Sequence, residues 1–146
     1  MNKDNQLIFE AYLKENAQPV CTTGANGTKY WYINDKLHRE DGPAVEFANG
    51  TKYWYINDKC HREDGPAIEG ANGTKFWYIN GKRHREDGPA IEYANGTKYW
   101  YINGKKYPDA QQWAKAMLQS KNKPAGSNDV QEFLRPILSK QTKDLI

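Results

Sequence analysis

Residues 48–70 read Ala-Asn-Gly-Thr-Lys-Tyr-Trp-Tyr-Ile-Asn-Asp-Lys-Cys-His-Arg-Glu-Asp-Gly-Pro-Ala-Ile-Glu-Gly, and the string returns, lightly varied, every 23 residues. Asn-Gly-Thr-Lys begins at Asn26, Asn49, Asn72 and Asn95, and His-Arg-Glu-Asp-Gly-Pro-Ala begins at His38, His61 and His84. Four copies span about Cys21 to Tyr107. A fixed period of this size marks an array in which each unit buries its surface against its neighbours.

Each unit carries a hairpin signal. Asn49-Gly50 stands between Ala44–Ala48 and Thr51–Ile56, two short runs rich in aromatic or β-branched residues. Asn-Gly suits a two-residue turn because both positions take φ > 0. Further turns are expected at Asn57-Asp58 and Asp64-Gly65-Pro66. His61-Arg62-Glu63 then connects hairpins or forms a short third strand. A two-residue turn sets Phe47 opposite Lys52, Glu46 opposite Tyr53 and Val45 opposite Trp54. Side chains alternate between faces. Val45, Phe47, Trp54 and Ile56 are therefore expected on a buried face, and Ala44, Glu46, Tyr53 and Tyr55 on a tyrosine-rich one. The Phe47 position reads Gly24, Phe47, Gly70, Tyr93 along the array, so odd units leave room for a neighbour's ring or for a ligand.

The expected fold is mainly β: tandem hairpins in one antiparallel meander, with short terminal helices. An N-terminal helix or cap fills 1–18, four repeats fill 19–107 and a helical tail fills 108–146. Asn5–Glu15 gathers Leu7, Ile8, Ala11 and Tyr12 on one side. After Pro108-Asp109, the residues Ala110, Trp113, Ala114, Met117 and Leu118 recur at helical spacing. Beyond the linker 121–128, a last helix carries Val130, Phe133, Leu134, Ile137 and Leu138, and Pro136 is expected to start or kink it. One sheet needs something over its apolar face. The terminal helices, or a second copy of the chain, are the candidates.

Composition agrees with a thin fold. Hydrophobic residues make up 38% of the 146, mean hydropathy is -0.99, yet aromatics reach 13%. That is too few apolar residues for a thick two-layer core and too many rings for a disordered chain. The net charge of +3 is no nucleic-acid signature. Residues 105–146 carry eight Lys or Arg against four Asp or Glu, whereas 23–104 balance at eleven each. Two cysteines, Cys21 and Cys60, with no C-x-x-C spacing, argue against a disulfide framework or a Cys-rich zinc site. No signal peptide and no membrane span are read, and a reducing cytoplasm is the expected compartment.

Three sets of residues invite chemistry. Equivalent histidines, His38, His61 and His84, should stand about 10 Å apart, twice the ~4.8 Å strand spacing, too far to share an ion bound at ~2.1 Å. Each is expected to hydrogen-bond a backbone carbonyl. The triplets starting at Arg39, Arg62 and Arg85 offer carboxylates, but Asp-Gly-Pro is turn chemistry and an active site needs one constellation rather than three copies. No phosphate-loop, dinucleotide or nucleophile-elbow motif is present. No catalytic residue, metal ligand or cofactor is assigned. The rows of Tyr32, Tyr53, Tyr55, Phe76, Tyr78, Tyr99 and Tyr101 are the strongest candidate. Such rings serve protein hot spots and can stack bases. The connections His38-Arg39, His61-Arg62 and His84-Arg85 are a second candidate binding set.

The units Trp-Tyr-Ile-Asn-Gly-Lys-x-His-Arg-Glu-Asp-Gly-Pro-Ala resemble the variant MORN-type repeats common in large tailed bacteriophages, over roughly 21–107. The resemblance implies a hairpin meander acting as an interaction or assembly module in the host cytoplasm. The unit is poorer in Gly than the best-known MORN pattern and adds His-Arg-Glu-Asp, so that group's lipid binding is not carried over. The expected function is non-enzymatic binding of a host or phage protein, such as a host defence factor. Sequestration of a nucleotide or nucleic acid, and a structural assembly role with a homo-oligomer, are the alternatives.

Overall fold

The computed structural model describes residues 2–143. Helix α1 (Lys3–Glu15) leads into fourteen short strands and two C-terminal helices, α2 (Ala110–Ser120) and α3 (Ser127–Lys143). The strands are β1 (Val20–Thr23), β2 (Lys29–Ile33), β3 (Lys36–Leu37), β4 (Val45–Glu46), β5 (Lys52–Tyr53), β6 (Tyr55–Ile56) and β7 (Lys59–Cys60). Then come β8 (Ile68–Glu69), β9 (Lys75–Phe76), β10 (Tyr78–Ile79), β11 (Lys82–Arg83), β12 (Ile91–Glu92), β13 (Lys98–Ile102) and β14 (Lys105–Tyr107).

The meander is as expected. One antiparallel sheet runs β1-β2-β4-β5-β8-β9-β12-β13-β14, while β6-β7 and β10-β11 form outlying hairpins and β3 pairs with β2. Within a unit the chain leaves the sheet at tryptophan. The Trp54 amide donates to Ala67 O at 2.8 Å, while its carbonyl accepts from the His61 amide at 3.0 Å. The same pattern joins Trp31 to Ala44 and His38, and Trp77 to Ala90 and His84.

The hairpin register differs from the expectation by one residue. Val45 lies opposite Tyr53 and Glu46 opposite Lys52. The loop has three residues, not two: Gly50 N–H donates to Phe47 O at 3.0 Å, and Phe47 N–H donates to Thr51 O at 2.9 Å. Gly50 alone takes the left-handed conformation, φ 94, which is a type I turn closed by a glycine bulge. The Asn49 side chain accepts the Thr51 amide at 2.9 Å, which is what asparagine contributes there. The two-residue turn with both φ positive occurs instead at the second site, Asn57 (φ 49) and Asp58 (φ 64).

A one-residue slip moves alternate side chains to opposite faces. One face therefore carries an uninterrupted ladder Tyr30, Val45, Tyr53, Ile68, Phe76, Ile91, Tyr99, an aromatic next to a β-branched residue at every step. The other carries Lys29, Glu46, Lys52, Glu69, Lys75, Glu92, Lys98, with opposite charges at every step. Each such cross-strand pair contributes roughly 0.2–1 kcal/mol, and the pattern forbids register slips.

The helices do not seal the sheet. α2 and α3 cover its C-terminal end, where Trp100, Trp113, Ala114, Met117, Leu118, Val130 and Leu134 form the buried cluster, and Ile137 and Lys140 of α3 reach beside Trp77 and Arg85 of the third unit. Asp109 caps α2 by accepting the Gln112 amide at 2.8 Å. Pro136 lies inside α3, which neither starts nor stops there. α1 has no buried residue, and Leu7, Ile8, Phe9, Tyr12 and Leu13 are all exposed. Residues 144–146 of the expected tail lie outside the described residues.

Candidate functional site

The Trp face covers itself. The Arg62 guanidinium lies 3.9 Å over the Trp54 ring, and Arg39 over Trp31 and Arg85 over Trp77 repeat the stack at 4.0 and 3.8 Å. Each fork is pinned. Arg62 Nε donates to Asp64 at 2.9 Å, and one Nη donates to Pro66 O and to Glu69, both at 3.0 Å. Gly65 is glycine because the guanidinium passes over it: an added Cβ would stand 3.1 Å from Arg62 Cζ, and at Gly88 only 2.8 Å from Arg85 Cζ. Planar, weakly hydrated guanidinium is suited to lie on an indole while meeting a carboxylate and a carbonyl in its plane. The fourth unit has Pro108 where the arginine would stand, and there Trp113 of α2 packs on Trp100 at 4.7 Å between ring centroids.

The histidines splice units together. Nδ1 of His61 accepts the Asn80 amide at 3.0 Å, as His84 does from Asn103 at 3.0 Å and His38 from Asn57 at 3.2 Å. The expectation of a bond to a carbonyl is reversed at His61 and His84: Nδ1 accepts, so the neutral ring carries its proton on Nε2, which in His61 faces Glu63 at 3.6 Å, while His38 Nδ1 also stands 3.1 Å from Asn57 Oδ1. Asp58 adds to the same splice by accepting the Leu37 amide at 2.7 Å across the unit boundary. The residues His38, Arg39, His61, Arg62, His84 and Arg85 are thus brought into repeated, mutually bonded positions. Their outer edge forms open grooves. One, of about 790 Å³, is lined by Arg39, Asp41, Trp54, Ile56, His61 and Glu63 among others.

The rings of the other face pack on one another. Tyr30 stacks with Tyr32 at 6.3 Å, Phe47 meets Tyr53 edge-on at 5.3 Å, and Tyr53 lies 6.3 Å from Tyr55. Tyr93 stands edge-on between Phe76 and Tyr99, at 5.8 and 6.0 Å. The rings of Tyr32, Tyr53, Tyr55, Phe76, Tyr78, Tyr99 and Tyr101 are all half-buried, and Val45 and Ile91, their cross-strand neighbours, are buried. A side chain at Gly70 would meet Asn72 Oδ1 at 2.8 Å and the Thr74 carbonyl at 3.3 Å, and one at Gly24 would meet Asn26 Oδ1 at 3.3 Å, so the turn asparagine occupies the space beside each glycine.

Sequence reasoning placed Glu46, Glu69 and Glu92 among the tyrosines. The observed register puts them on the opposite face with Arg39, Arg62 and Arg85. It also gave no role to the variable slot Leu37, Cys60, Arg83. That slot pairs with Tyr32, Tyr55 and Tyr78. Arg83 donates to the Tyr78 hydroxyl at 3.1 Å and the Tyr101 hydroxyl at 3.3 Å, and Lys106 lies 4.0 Å over Tyr99. The Tyr78 hydroxyl bond raises the Arg83 pKa. Burial pushes the Cys60 thiol up to about 12, and burial, with Cys60 beside it, raises the Tyr55 phenol. Only the pairing of the slot with tyrosine, visible once the second turn is given two residues, could have pointed to this.

Among the described residues no helix is long and apolar enough to cross a membrane. No family model matches the chain, and no curated protein and no solved structure does either.

Proposed function

We propose that the chain is a non-catalytic binding module that takes a protein partner on its ring face. The observation that carries this reading is the row Tyr32, Tyr55, Tyr78, Tyr101, with Tyr53, Phe76 and Tyr99 beside it, at fixed spacing and half-exposed. The Glu46–Lys98 charge ladder lies on the opposite face. Rings that already pack on each other lose little side-chain freedom on binding, so their contact area converts into affinity efficiently. With the resemblance to tailed-phage repeats, the partner is a host protein met in the host cytoplasm, such as a defence factor that the array blocks. The test compares immobilised wild type with a Tyr55→Ala, Tyr78→Ala double variant against one host lysate. Bands retained by wild type and lost with the variant, at unchanged circular dichroism, support the reading; identical bands reject it.

One observation favours a second reading. Arg83 and Lys106 place two cations among Tyr78, Tyr99 and Tyr101 at the C-terminal end of the row. Rings with cations can hold a nucleotide by stacking and phosphate contact. Native mass spectrometry of gently purified protein distinguishes the two: an adduct of nucleotide mass, lost with Arg83→Ala, supports sequestration.

A further inference from the structure

The two ends of the array are finished differently. At the C-terminal edge, β14 carries Lys105 and Lys106, and α2 packs against β13 and β14. Charged edge residues and a covering helix are how native sheets avoid pairing with other strands. At the N-terminal edge, β1 is Val-Cys-Thr-Thr, uncharged and exposed along its whole length, and among the described residues it pairs only with β2. The same end carries α1, whose five large apolar side chains are exposed and whose tie to the array is Asn34 Nδ2 donating to Lys14 O at 3.3 Å. An isolated helix of 13 residues is marginal in water and needs a packing partner. An open edge and a bare apolar helix thus occur together.

The direction of the edge groups can be worked out. Cys21 lies opposite Trp31, and the Trp31 amide is turned to the other side, donating to Ala44 O at 2.8 Å. In an antiparallel ladder such a pair has both residues' N–H and C=O turned away from each other. Cys21 and, two residues on, Thr23 therefore turn their N–H and C=O off the outer edge. Thr22, opposite Tyr30, spends its own on β2.

We propose that β1 is a dimerisation edge that pairs antiparallel with β1 of a second copy of this chain about a two-fold axis at Thr22. That register sets Cys21 of each copy opposite Thr23 of the other and uses all four outward N–H and all four outward C=O groups. A register centred on Cys21 would set Thr23 against Pro19, which has no N–H to give. The occupant is a second copy because an antiparallel edge is its own complement across a two-fold and this one brings no charge to repel itself, unlike Lys105-Lys106 at the other end. The pairing extends the ladder already joining every unit. It also brings both α1 helices, each only residues 16–19 away, to one junction where their apolar faces have a partner.

The test is sedimentation equilibrium on the full chain and two variants. Wild type is expected to be a dimer. Cys21→Pro removes only an outward N–H, which an edge strand tolerates, so it should be a monomer with unchanged circular dichroism. In a Cys21→Ser background, Thr22→Cys should form a disulfide dimer on oxidation. Thr22 faces its copy as a non-hydrogen-bonded pair, with Cα atoms about 4.5 Å apart, inside disulfide range. Cys21 and its copy lie on the diagonal, about 7–8 Å apart, and wild type should cross-link poorly. A monomeric wild type, a dimer that Cys21→Pro leaves intact, or a Thr22→Cys chain that stays uncrosslinked would each overturn the proposal. Because β1 lies outside the rows tested for partner capture, loss of dimer and loss of capture are separable results.

Discussion

Replacing Arg62 by alanine removes the cover of Trp54, and its cost can be assembled from the contacts. The guanidinium stacks at 3.9 Å on a half-buried indole, worth about 1 kcal/mol. The bond to the Pro66 carbonyl at 3.0 Å is charge-assisted and worth about 1.5 kcal/mol. The pairs to Asp64 and Glu69 have side chains 86% and 38% exposed, and together they add about 0.5–1 kcal/mol after solvent screening. The aliphatic stem contributes a little more by shielding the ring. The total is about 3–4 kcal/mol, which for a chain of this length lowers the melting temperature by roughly 10 °C. Arg62→Lys keeps the charge but loses the planar fork and should fall about midway. A ranking follows as well. Arg85 is the least exposed of the three, at 13%, and holds Glu92 at 3.1 Å, while Arg39 reaches Glu46 only at 3.6 Å. Losses should therefore run Arg85 ≥ Arg62 > Arg39 in thermal melts followed by circular dichroism. Wild-type melting of Arg62→Lys, or the reverse ranking, would refute the stacking argument.

Further outcomes are expected. Gly88→Ala should lift Arg85 off Trp77, because the new Cβ would stand 2.8 Å from Cζ; the loss of about 1–3 kcal/mol should largely vanish when Arg85 is already alanine, as a double-mutant cycle would read. His61→Ala leaves the Asn80 amide without its acceptor, costing about 1 kcal/mol and speeding hydrogen exchange at that one amide, which NMR can follow. Trp113→Ala uncovers Trp100 and empties a fully buried site, so about 3–5 kcal/mol should be lost, with melting beginning at the C-terminal end. A thiol reagent at neutral pH should modify exposed Cys21 and spare Cys60, held protonated by burial up to about 12. As pH rises, the unfolded thiol ionises near 9 while the folded one does not until about 12. The unfolded state therefore sheds the proton first, and stability falls across that window; Cys60→Ala should flatten the fall in pH-dependent melts.

The period and the turn residues carried the fold because they act locally. Asn-Gly, Asn-Asp and Asp-Gly-Pro each dictate a bend whatever surrounds them, so the meander follows from the string itself. What they left open was loop length. Asn49-Gly50 serves a two-residue turn or the end of a three-residue one, and the choice depends on strand pairing beyond the loop. That single residue decided which side Trp54 and the glutamates face, and with it the cover of the tryptophans. The arginine stack was legible only as a list of residue types: Trp54 and Arg62 are eight positions apart, and nothing in that spacing says the chain folds back. Tyr55 and Tyr78 were read as members of a tyrosine-rich face shared with glutamate; both are half-buried, and each lies opposite the Cys60 and Arg83 slot instead.

The His–Asn splice has a consequence at the level of the gene. Every junction presents the same amide to the same imidazole, so any unit fits after any other. Slippage between tandem copies that removed residues 46–68 would bring Asn80 to His38, and Val45 would run directly into Glu69 with the alternation of side chains intact. The cost of such an event is the loss of one unit's rings, Phe47, Tyr53, Trp54 and Tyr55, not of the fold. Lineages can therefore lengthen or shorten the tyrosine row in whole steps of 23 residues, sampling footprints for new partners while each intermediate remains a ribbon capped at its C-terminal end by Trp113.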